Sequence, residues 1–525
     1  NIGYFTKNRK VTENPNKIAI QFESSEKWTY HELHLRSNKY ANKLRELGVK
    51  KGDSVGLLLF NCLEYFALYF AIGKIGAIAV RINFRLTPTE LDYILKDSKA
   101  KILCAHTELL EKVEPLTASL QIDHYITFGK ETFDWALPSE ELEKGSQEDI
   151  LDTDISLHDP VMLMYTSGTT GHPKGALWTH NTTFWFSTIQ IMKWGFTGEE
   201  IAMTTGPLYH VGAMEDIALP VLLNGGTVII TKSSGFTISR VLNVVEKEQV
   251  TDIFLFPFMI YEMLNLPNLK DYRLQHLKTI YTGGDPLMPW AIERAYELYP
   301  HIGFVQVYGL TEGQPIAACL DAADAPKKSG SVGKPLPLTE IQLISDDEQP
   351  VPTGEVGEIW IKSPGVSEGY WQKPEETAKS FSNGWCKTGD LGMYDEEGFL
   401  SIVGRKKDMI RSGGENIYAA EIEDVLYRHD AVHTASVIAI PDPKYLEAVC
   451  AVIVLKENKQ TTEEELISFC QKYLAKYKAP KKVVFIDEIP RTPSGKVKKF
   501  ELREIYKNVN LNTEEEKKKK KYCFI

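Results

Sequence analysis

The sequence predicts an α/β fold with a large N-terminal body of βα-layered subdomains, a small β-rich subdomain, and a small mobile α+β C-terminal lobe. Three observations support this prediction. Apolar runs that end in turn residues alternate with helical patterns over the first half of the chain. Short strands with Pro/Gly turns follow from about Leu336, and a mixture of helices and strands follows Gly404. At about 150 residues per domain, the 525 residues suffice for about three such units.

The alternation of helices and strands begins near Tyr30. Residues 30–47 repeat apolar side chains at helical spacing, residues 54–60 form a short apolar run, and residues 63–72 are helical again. Strands that alternate with helices predict a mainly parallel sheet covered on both faces. Four further apolar runs predict more strands of this kind: 161–165, 227–230, 251–256 and 278–281.

The C-terminal third has a different pattern of predicted elements. Turns such as Pro350-Val-Pro-Thr-Gly354 separate short strands, which predicts an antiparallel section. Beyond Gly404, residues 419–427 and 462–473 are helical in pattern, and residues 435–439 and 449–455 are strand-like. We therefore predict domains at 1–404 and 405–510 and a charged, disordered tail at 511–525.

Composition excludes several classes of protein. The net charge of −11 does not favour nucleic acid as a partner. The seven cysteines include no CxxC pair, so a zinc site is not predicted and a reducing, cytoplasmic location fits best. The two most apolar stretches, 55–82 and 208–230, contain Glu64, Lys74, Glu215 and Asp216, so neither predicts a membrane span. No charged-then-apolar secretory leader is evident.

The most informative segment is Tyr165-Thr-Ser-Gly-Thr-Thr-Gly-His-Pro-Lys-Gly-Ala176, which follows an apolar run directly. Its glycines allow close backbone approach, its hydroxyls are donors, and Lys174 offers a mobile cation, which together suit a chain of phosphates. The spacing differs from the GxxxxGK[ST] loop, because Lys174 is followed by Gly175. The alternative is a Ser/Thr/Gly surface turn.

Six later motifs occur in order along the chain: Thr282-Gly-Gly-Asp-Pro286, Tyr308-Gly-Leu-Thr-Glu312, Trp385-Cys-Lys-Thr-Gly-Asp390, Gly404-Arg-Lys-Lys-Asp408, Ser412-Gly-Gly-Glu-Asn416 and Pro493-Ser-Gly-Lys496. With the first segment, they resemble the acyl-adenylate-forming superfamily, which includes acyl-CoA synthetases, peptide-synthetase adenylation domains and beetle luciferases. The resemblance covers nearly the whole chain and implies that 1–404 is the AMP-binding domain. It also implies ATP, Mg²⁺ and the co-substrate coenzyme A.

Physical chemistry and the resemblance together suggest a role for each motif. Tyr308 beside Gly309 offers a flat ring for adenine, although a core tyrosine is the alternative. Thr311 and Glu312 supply hard oxygen atoms for Mg²⁺, and the alternative is a helix start. Asp390 can accept both ribose hydroxyls, and the alternative is a turn former.

The resemblance assigns the remaining candidates. It names Lys496, Thr166, Glu312 and His210 as catalytic residues, with Glu312 and Thr166 at the metal. It assigns nucleotide or CoA contacts to these positions: Ser167, Gly168, Thr169, Thr170, Gly171, Lys174, Gly283, Gly284, Asp285, Arg405, the hinge residue Lys407, and Gly413 and Gly414. Gly212, Ala213 and the Gly283-Gly284 turn would border an acyl tunnel.

Charge supports the role of Lys496, because residues 472–499 contain nine basic residues and two acidic ones. The alternative is a solvated surface lysine. The tail lysines 517–521 suggest weak peripheral membrane contact, with a solvated tail as the alternative. A homodimer is left open.

The function that we expect is an ATP-dependent acyl-CoA ligase for a medium- to long-chain fatty acid. The alternatives are a stand-alone adenylation enzyme that activates an aryl or other acid or loads a carrier protein, and a catalytically silent lipid-binding or scaffolding protein. Only about 30 residues follow Lys496, so we expect no carrier domain there.

Overall fold

The computed structural model describes residues 1–7, 12–131, 133–150, 154–166, 173–285, 287–412, 415–491 and 497–507. The chain divides into two compact units. The larger unit contains residues 1–342, 360–388 and 395–401, and the smaller contains residues 343–359, 389–394 and 402–525.

One large sheet of the larger unit has nine strands within the described residues. Its five central pairings are parallel, and antiparallel pairs close both edges. In spatial order the strands are Lys334–Pro335, Gln314–Leu320, Gly303–Leu310, Thr279–Gly283, Asp252–Phe254, Ile201–Thr204, Thr227–Ile230, Ile18–Phe22 and Lys27–Thr29. The interior strands are buried along their length, as their nearly continuous apolar runs predict.

A second sheet of the same unit has seven strands in the part of the chain that the structure describes. In spatial order they are Leu137–Pro138, His124–Phe128, Ala100–His106, Ser54–Leu58, Ile78–Arg81, Pro160–Thr166 and Lys174–Thr179. All neighbours are parallel except the last two, which form an antiparallel hairpin around the glycine-rich segment. Lys174, at the start of the last strand, therefore lies at the edge of the sheet.

The α-helices of the larger unit connect and cover these strands. Their bounds are Tyr30–Glu46, Leu63–Lys74, Pro88–Asp97, Thr107–Leu110, His180–Trp194, Val211–Ala213, Leu219–Leu223, Ile238–Lys247, Pro257–Leu264, Pro289–Leu298 and Pro374–Ser380. The helix Leu63–Lys74 is almost entirely buried, which explains why its own side chains are apolar on nearly every face. Tyr30–Glu46 begins at a capping box formed by Thr29 and Glu32. A π-helical turn, Met214–Ala218, and 3-10 turns complete the unit.

A smaller sheet contains Glu340–Ile344, Gly357–Lys362, Trp385–Tyr394, Phe381–Ser382 and Leu400–Arg405. It corresponds to the β-rich section that the Pro/Gly turns predict. The division between the two units runs through its strands.

The smaller unit is built on a long antiparallel hairpin, Val432–Asp442 with Leu446–Leu455. The sheet also includes Ile410–Ser412, Glu415–Ile417 and Lys482–Phe485, and three helices accompany it: Ala419–Tyr427, Glu463–Tyr473 and Lys499–Tyr506. Together the two units confirm the predicted α/β class, with a large body of mainly parallel sheets and a smaller β-rich unit. Among the described residues, no helix combines the length and apolarity needed to span a bilayer.

Candidate active site

The predicted phosphate loop lies, in sequence, between two antiparallel strands in which Thr166 lies opposite Lys174. Ser167, Gly168, Thr169, Thr170 and Gly171 lie outside the described residues. The ends of the two strands fix where the chain enters and leaves the loop, so the site can be built from Thr166 and Lys174.

Thr166 is hydrogen-bonded to the carboxylate of Glu312. Its Oγ1 donates to Glu312 Oε1 over 2.7 Å, and the hydroxyl of Tyr370 lies 3.3 Å from the same oxygen. Burial, followed by the charge of Glu312, raises the pKa of the Tyr370 phenol. The structure thus brings together two residues that were assigned to the metal and adds Tyr370, which the sequence reasoning missed.

The Thr166–Glu312 pair has a donor set that fits Mg²⁺, because that ion prefers hydroxyl and carboxylate oxygens. Among the described residues no group of three His, Cys, Asp or Glu side chains could hold a metal ion by itself. A Mg²⁺ ion that accompanies phosphates takes only one or two protein carboxylates, so this pair suffices. Thr311 is buried, and its carbonyl accepts a hydrogen bond from Trp178 Nε1 at 3.0 Å, which fixes the backbone before Glu312.

Lys174 is a buried, paired cation. Its ammonium group forms an ion pair with Glu376, from the helix Pro374–Ser380, and lies 5.0 Å from the centre of the Tyr370 ring. Only 8% of its side chain is exposed. The hydrogen bond from Lys174, together with a second from Lys379, lowers the pKa of Glu376 to about 2. The sequence suggests a mobile cation here, whereas in the structure the ammonium group of Lys174 is already paired with a carboxylate.

Gly283 and Gly284 end a strand at the carboxyl edge of the nine-stranded sheet. Gly283 lies opposite Val307 on the neighbouring parallel strand, and a Cβ at Gly283 would be 2.7 Å from the Val307 carbonyl oxygen. Gly284 has φ +92°, which favours glycine, and Asp285 after it is exposed. Ligands of open parallel sheets bind at this edge, so the position suits a nucleotide.

Tyr308 and Gly309 lie at the same carboxyl edge, on the next strand. Tyr308 is half-buried and pairs with Ala318, and the strand register shifts just after it. A Cβ at Gly309 would be 2.2 Å from the carbonyl oxygen of Gln314. A glycine is therefore required there, because a side chain would collide with the backbone of the neighbouring strand.

His210 caps the short helix Val211–Ala213. Its Nδ1 accepts a hydrogen bond from the backbone N–H of Gly212 at 3.0 Å. In the neutral ring the proton is therefore on Nε2.

Two of the residues predicted to border the acyl tunnel are Ala213, which lies beside Gly206, and Gly284, which lies beside Phe256. A Cβ at Gly206 would be 3.2 Å from the Ala213 methyl group and 3.4 Å from the ring of Phe256. A Cβ at Gly284 would be 3.7 Å from the same ring. Phe256 therefore joins the His210 segment to the Gly283-Gly284 turn, and the sequence reasoning did not identify it.

The loop that leads to His210 is held by two buried polar side chains. The backbone N–H of Leu208 donates to Asn61 Oδ1 at 2.8 Å, and the Leu208 carbonyl accepts from Arg81 Nη2 at 2.9 Å. Asn61 also donates to the carbonyl of Gly206 at 3.0 Å. These bonds fix the backbone two residues before His210.

Arg81 forms a fully buried ion pair with Glu215, and both side chains are 0% exposed. Glu215 and Asp216 lie in the π-helical turn Met214–Ala218, a type of distortion frequent at functional sites. Burial raises the pKa of both carboxyl groups, and Arg81 partly opposes the shift. The sequence signal for this cluster is the pair of adjacent acidic residues within an apolar run. By itself that signal indicates only that the run does not span a membrane.

The smaller unit contains the predicted ribose-binding residues. Asp390 is 6% exposed, and its Oδ1 lies 3.0 Å from Nε of Arg405, whose side chain is half exposed. The hinge candidate Lys407 is exposed on the 3-10 turn Lys406–Asp408. Gly413, Gly414 and Lys496 lie outside the described residues.

Comparisons with known proteins agree over nearly the full chain. The family described as "AMP-binding enzyme" matches residues 7–371, and "AMP-binding enzyme C-terminal domain" matches residues 421–496. A feruloyl-CoA synthase of Amycolatopsis sp is 38% identical over 495 residues, which are 94% of this chain and 97% of that protein. The long-chain-fatty-acid–CoA ligase FadD13 of Mycobacterium tuberculosis is 34% identical over 513 residues, 96% of this chain and 98% of that protein. The crystal structure of ATP-bound MatB from Rhodopseudomonas palustris superposes with a TM-score of 0.89 at 29% identity, and covers 97% of this chain and 99% of that one.

Proposed function

The chain belongs to the AMP-binding enzyme family and is an AMP-forming acid–thiol ligase, and from this premise we propose how its residues join a carboxylic acid to coenzyme A. In the first step a carboxylate oxygen attacks the α-phosphorus of ATP and pyrophosphate leaves. In the second step the CoA thiol attacks the carbonyl carbon of the acyl-AMP and AMP leaves. One observation supports this proposal best. Thr166 is hydrogen-bonded to Glu312, and Tyr370 contacts both Glu312 and Lys174.

The first step needs positive charge on the phosphates, because the attacking carboxylate and ATP are both anionic. Lys174 supplies one charge once a phosphate replaces Glu376. Mg²⁺, when bound with ATP, would be held by Glu312 and Thr166 and would supply further positive charge to the phosphate oxygens. Lys496 is assigned by resemblance to the substrate carboxylate and the α-phosphate.

The nucleoside is held by two groups in this proposal. Tyr308 offers the face of its ring to adenine, with the Gly309 backbone alongside. Asp390 accepts hydrogen bonds from the ribose hydroxyls, and its contact with Arg405 orients the carboxylate for that purpose. His210 donates through Nε2 toward the reacting carboxyl group.

The acid is the least defined substrate. The fatty acid expected from the sequence is one candidate, and an aryl acid is another, as relatives with each activity are similar over nearly their full length. We also retain as proposals the domain limits 1–404 and 405–510, a cytoplasmic location, the homodimer and the membrane contact of the tail.

The test measures acid-dependent release of pyrophosphate and identifies the products. The protein is incubated with ATP, Mg²⁺, CoA and a mixed pool of alkyl and aryl acids, and mass spectrometry identifies the thioesters. We expect acyl-CoA and AMP, and we expect Glu312→Gln to lower the rate by about 100-fold through the lost charge. Glu340→Gln, at an exposed strand position, is the matched control. Pyrophosphate release that no acid stimulates would contradict the proposal.

A further inference from the structure

The helix that ends at Asp97 contacts the chain on both sides of residues 167–172, the part of the predicted phosphate loop that lies outside the described residues. The phenol of Tyr165 donates a hydrogen bond to Oδ2 of Asp97 at 2.7 Å. The hydroxyl of Tyr93, four residues earlier on the same face of the helix, donates to the backbone carbonyl of Pro173 at 3.1 Å. One helix therefore holds the chain shortly before and directly after these residues.

This helix is itself fixed at its start and along one face. It begins at a capping box, in which the side chain of Thr87 accepts from the backbone of Glu90 and the carboxylate of Glu90 accepts from the backbone of Thr87. Leu91, Ile94 and Leu95 form its buried face and belong to one hydrophobic cluster. A capped and packed helix is a suitable support for side chains that position a binding loop.

Gly175 leaves space for the ring of Tyr165. The two residues lie opposite each other in the antiparallel register, and a Cβ at Gly175 would be 3.2 Å from Cζ and 3.5 Å from the hydroxyl oxygen of Tyr165. A side chain at this position would crowd the phenol that reaches Asp97. Burial, followed by the hydrogen bond to Asp97 and its charge, raises the pKa of the Tyr165 phenol, so it remains a donor at neutral pH.

Asp97 occupies a position that the helix alone disfavours. It is the last helical residue, where the macrodipole favours a cation and opposes a carboxylate. Lys373 compensates the charge, because its Nζ lies 2.6 Å from Oδ1 of Asp97. The two carboxylate oxygens thus have different partners, and Oδ2 accepts from Tyr165. A residue that violates a local preference and is stabilised by tertiary contacts points to a function.

We propose that Tyr93 and Asp97 are positioning residues that hold the two ends of the phosphate loop in place for the β- and γ-phosphates of ATP. This inference rests on the proposed function, because it assumes that the loop binds those phosphates. A loop whose ends are not held loses more conformational freedom when a ligand binds, and that loss weakens binding. The effect should therefore concern the triphosphate and not the nucleoside.

The experiment measures binding in the absence of acid and CoA. The probes are α,β-methylene-ATP with Mg²⁺, and AMP, and isothermal titration calorimetry gives the Kd of each. Tyr93→Phe and Tyr165→Phe remove one hydroxyl each and keep the ring. Tyr299→Phe is the matched control, because its hydroxyl also donates to a carbonyl, that of Leu269 at 3.0 Å, but its ring packs against a different hydrophobic cluster.

We expect Tyr93→Phe and Tyr165→Phe each to raise the Kd of the ATP analogue by about 3- to 10-fold and to leave the Kd of AMP within about twofold of wild type. The double variant should raise the Kd of the ATP analogue by about 10- to 100-fold, and the control should change neither Kd. In turnover assays the two variants should raise the KM for ATP more than they lower kcat.

Two variants of Asp97 separate positioning from a loss of structure. Asp97→Asn keeps an oxygen that can accept from Tyr165, so it should retain most of the affinity for the ATP analogue. Asp97→Ala removes the acceptor and should weaken binding as Tyr165→Phe does. In the Tyr165→Phe background, Asp97→Ala should add little, because the contact is already lost. Urea unfolding verifies the folding of each variant.

Two results would overturn the inference. One is unchanged binding of the ATP analogue in both tyrosine variants. The other is an equal loss of affinity for the ATP analogue and for AMP, because such a loss indicates a general structural role.

The same data separate this inference from the proposed function. If thioesters form and both tyrosine variants bind the ATP analogue as wild type does, only the inference fails. If no acid stimulates pyrophosphate release but the variants still weaken triphosphate binding, the proposed function fails and the positioning role stands. A wild type that binds no ATP analogue would contradict both.

Discussion

Replacing Arg81 by methionine removes one member of the buried Arg81–Glu215 pair and leaves the other in an apolar surrounding. Both side chains are fully buried, so water cannot solvate the carboxylate that remains. The Leu208 carbonyl loses its donor at the same time. The substitution therefore tests whether this pair holds together the sheet and the segment that leads to His210.

The expected magnitude follows from the burial of the pair. Removal of one partner of a buried ion pair costs about 3–5 kcal/mol, whereas replacement of both by apolar side chains of similar volume is often neutral. We expect Arg81→Met to lower the free energy of unfolding by about 3–5 kcal/mol. The double variant Arg81→Met with Glu215→Leu should recover most of that loss, about 2–4 kcal/mol.

The assay can be restricted to the larger unit. All nine tryptophans lie within its limits, so urea unfolding followed by tryptophan fluorescence reports on that unit. Arg294→Met is the control, because Arg294 pairs with Glu297 on an exposed helix surface, where an ion pair contributes about 0–1 kcal/mol. A loss below about 1 kcal/mol for Arg81→Met, or a double variant less stable than the single one, would refute this reasoning.

Three further predictions concern separate parts of the chain. Lys496→Ala should lower acid-dependent exchange of pyrophosphate into ATP by orders of magnitude, while thioester formation from supplied acyl-AMP largely survives, because we propose that the lysine serves only the first step. Lys407→Pro should slow thioester formation more than adenylation, as proline fixes φ at the proposed hinge. Burial lowers the pKa of Lys74 from 10.5 to about 7, so the unfolded state binds the proton more tightly, and stability should rise with pH between about 7 and 10.5. Lys74→Met should lack that rise in urea unfolding measured across this window.

Each of these predictions has a result that would contradict it. If Lys496→Ala lowered the rates of adenylation and thioester formation equally, the prediction that Lys496 serves only the first step would be rejected. An unimpaired second half-reaction in Lys407→Pro would remove Lys407 as the hinge, and Lys406→Pro is the neighbouring comparison. For Lys74, the same slope of stability against pH in wild type and variant would show that its burial contributes nothing in that range.

Much of the fold could be predicted because its signals are local. Thr227–Ile230 and Ala419–Tyr427 have the bounds that the sequence pattern indicates. The helix Glu463–Tyr473 begins at a capping box between Thr462 and Glu465, which requires only residues three apart. Strands such as Thr279–Gly283 could be located to within one or two residues because burial on both faces requires a continuous apolar run.

The contacts within the site could not be predicted, because distant segments supply them. Arg81 and Glu215 are 134 residues apart, and Lys174 and Glu376 are 202 apart. Periodicity contains no information on such pairing. For this reason the sequence suggests a mobile Lys174 and does not reveal the Arg81–Glu215 pair. Motif resemblance could still point to Thr166 and Glu312 independently, and the structure places them in contact.

The ion pair between Lys174 and Glu376 bears on how quickly products depart. A phosphate that binds Lys174 competes with the carboxylate of Glu376 for the same ammonium group. When pyrophosphate leaves, the carboxylate of Glu376 can return to the same position without any reorganisation of the sheet. We therefore expect Lys174 to bind pyrophosphate less tightly than it would without the carboxylate of Glu376. Weaker binding of this product favours the forward direction of acid activation.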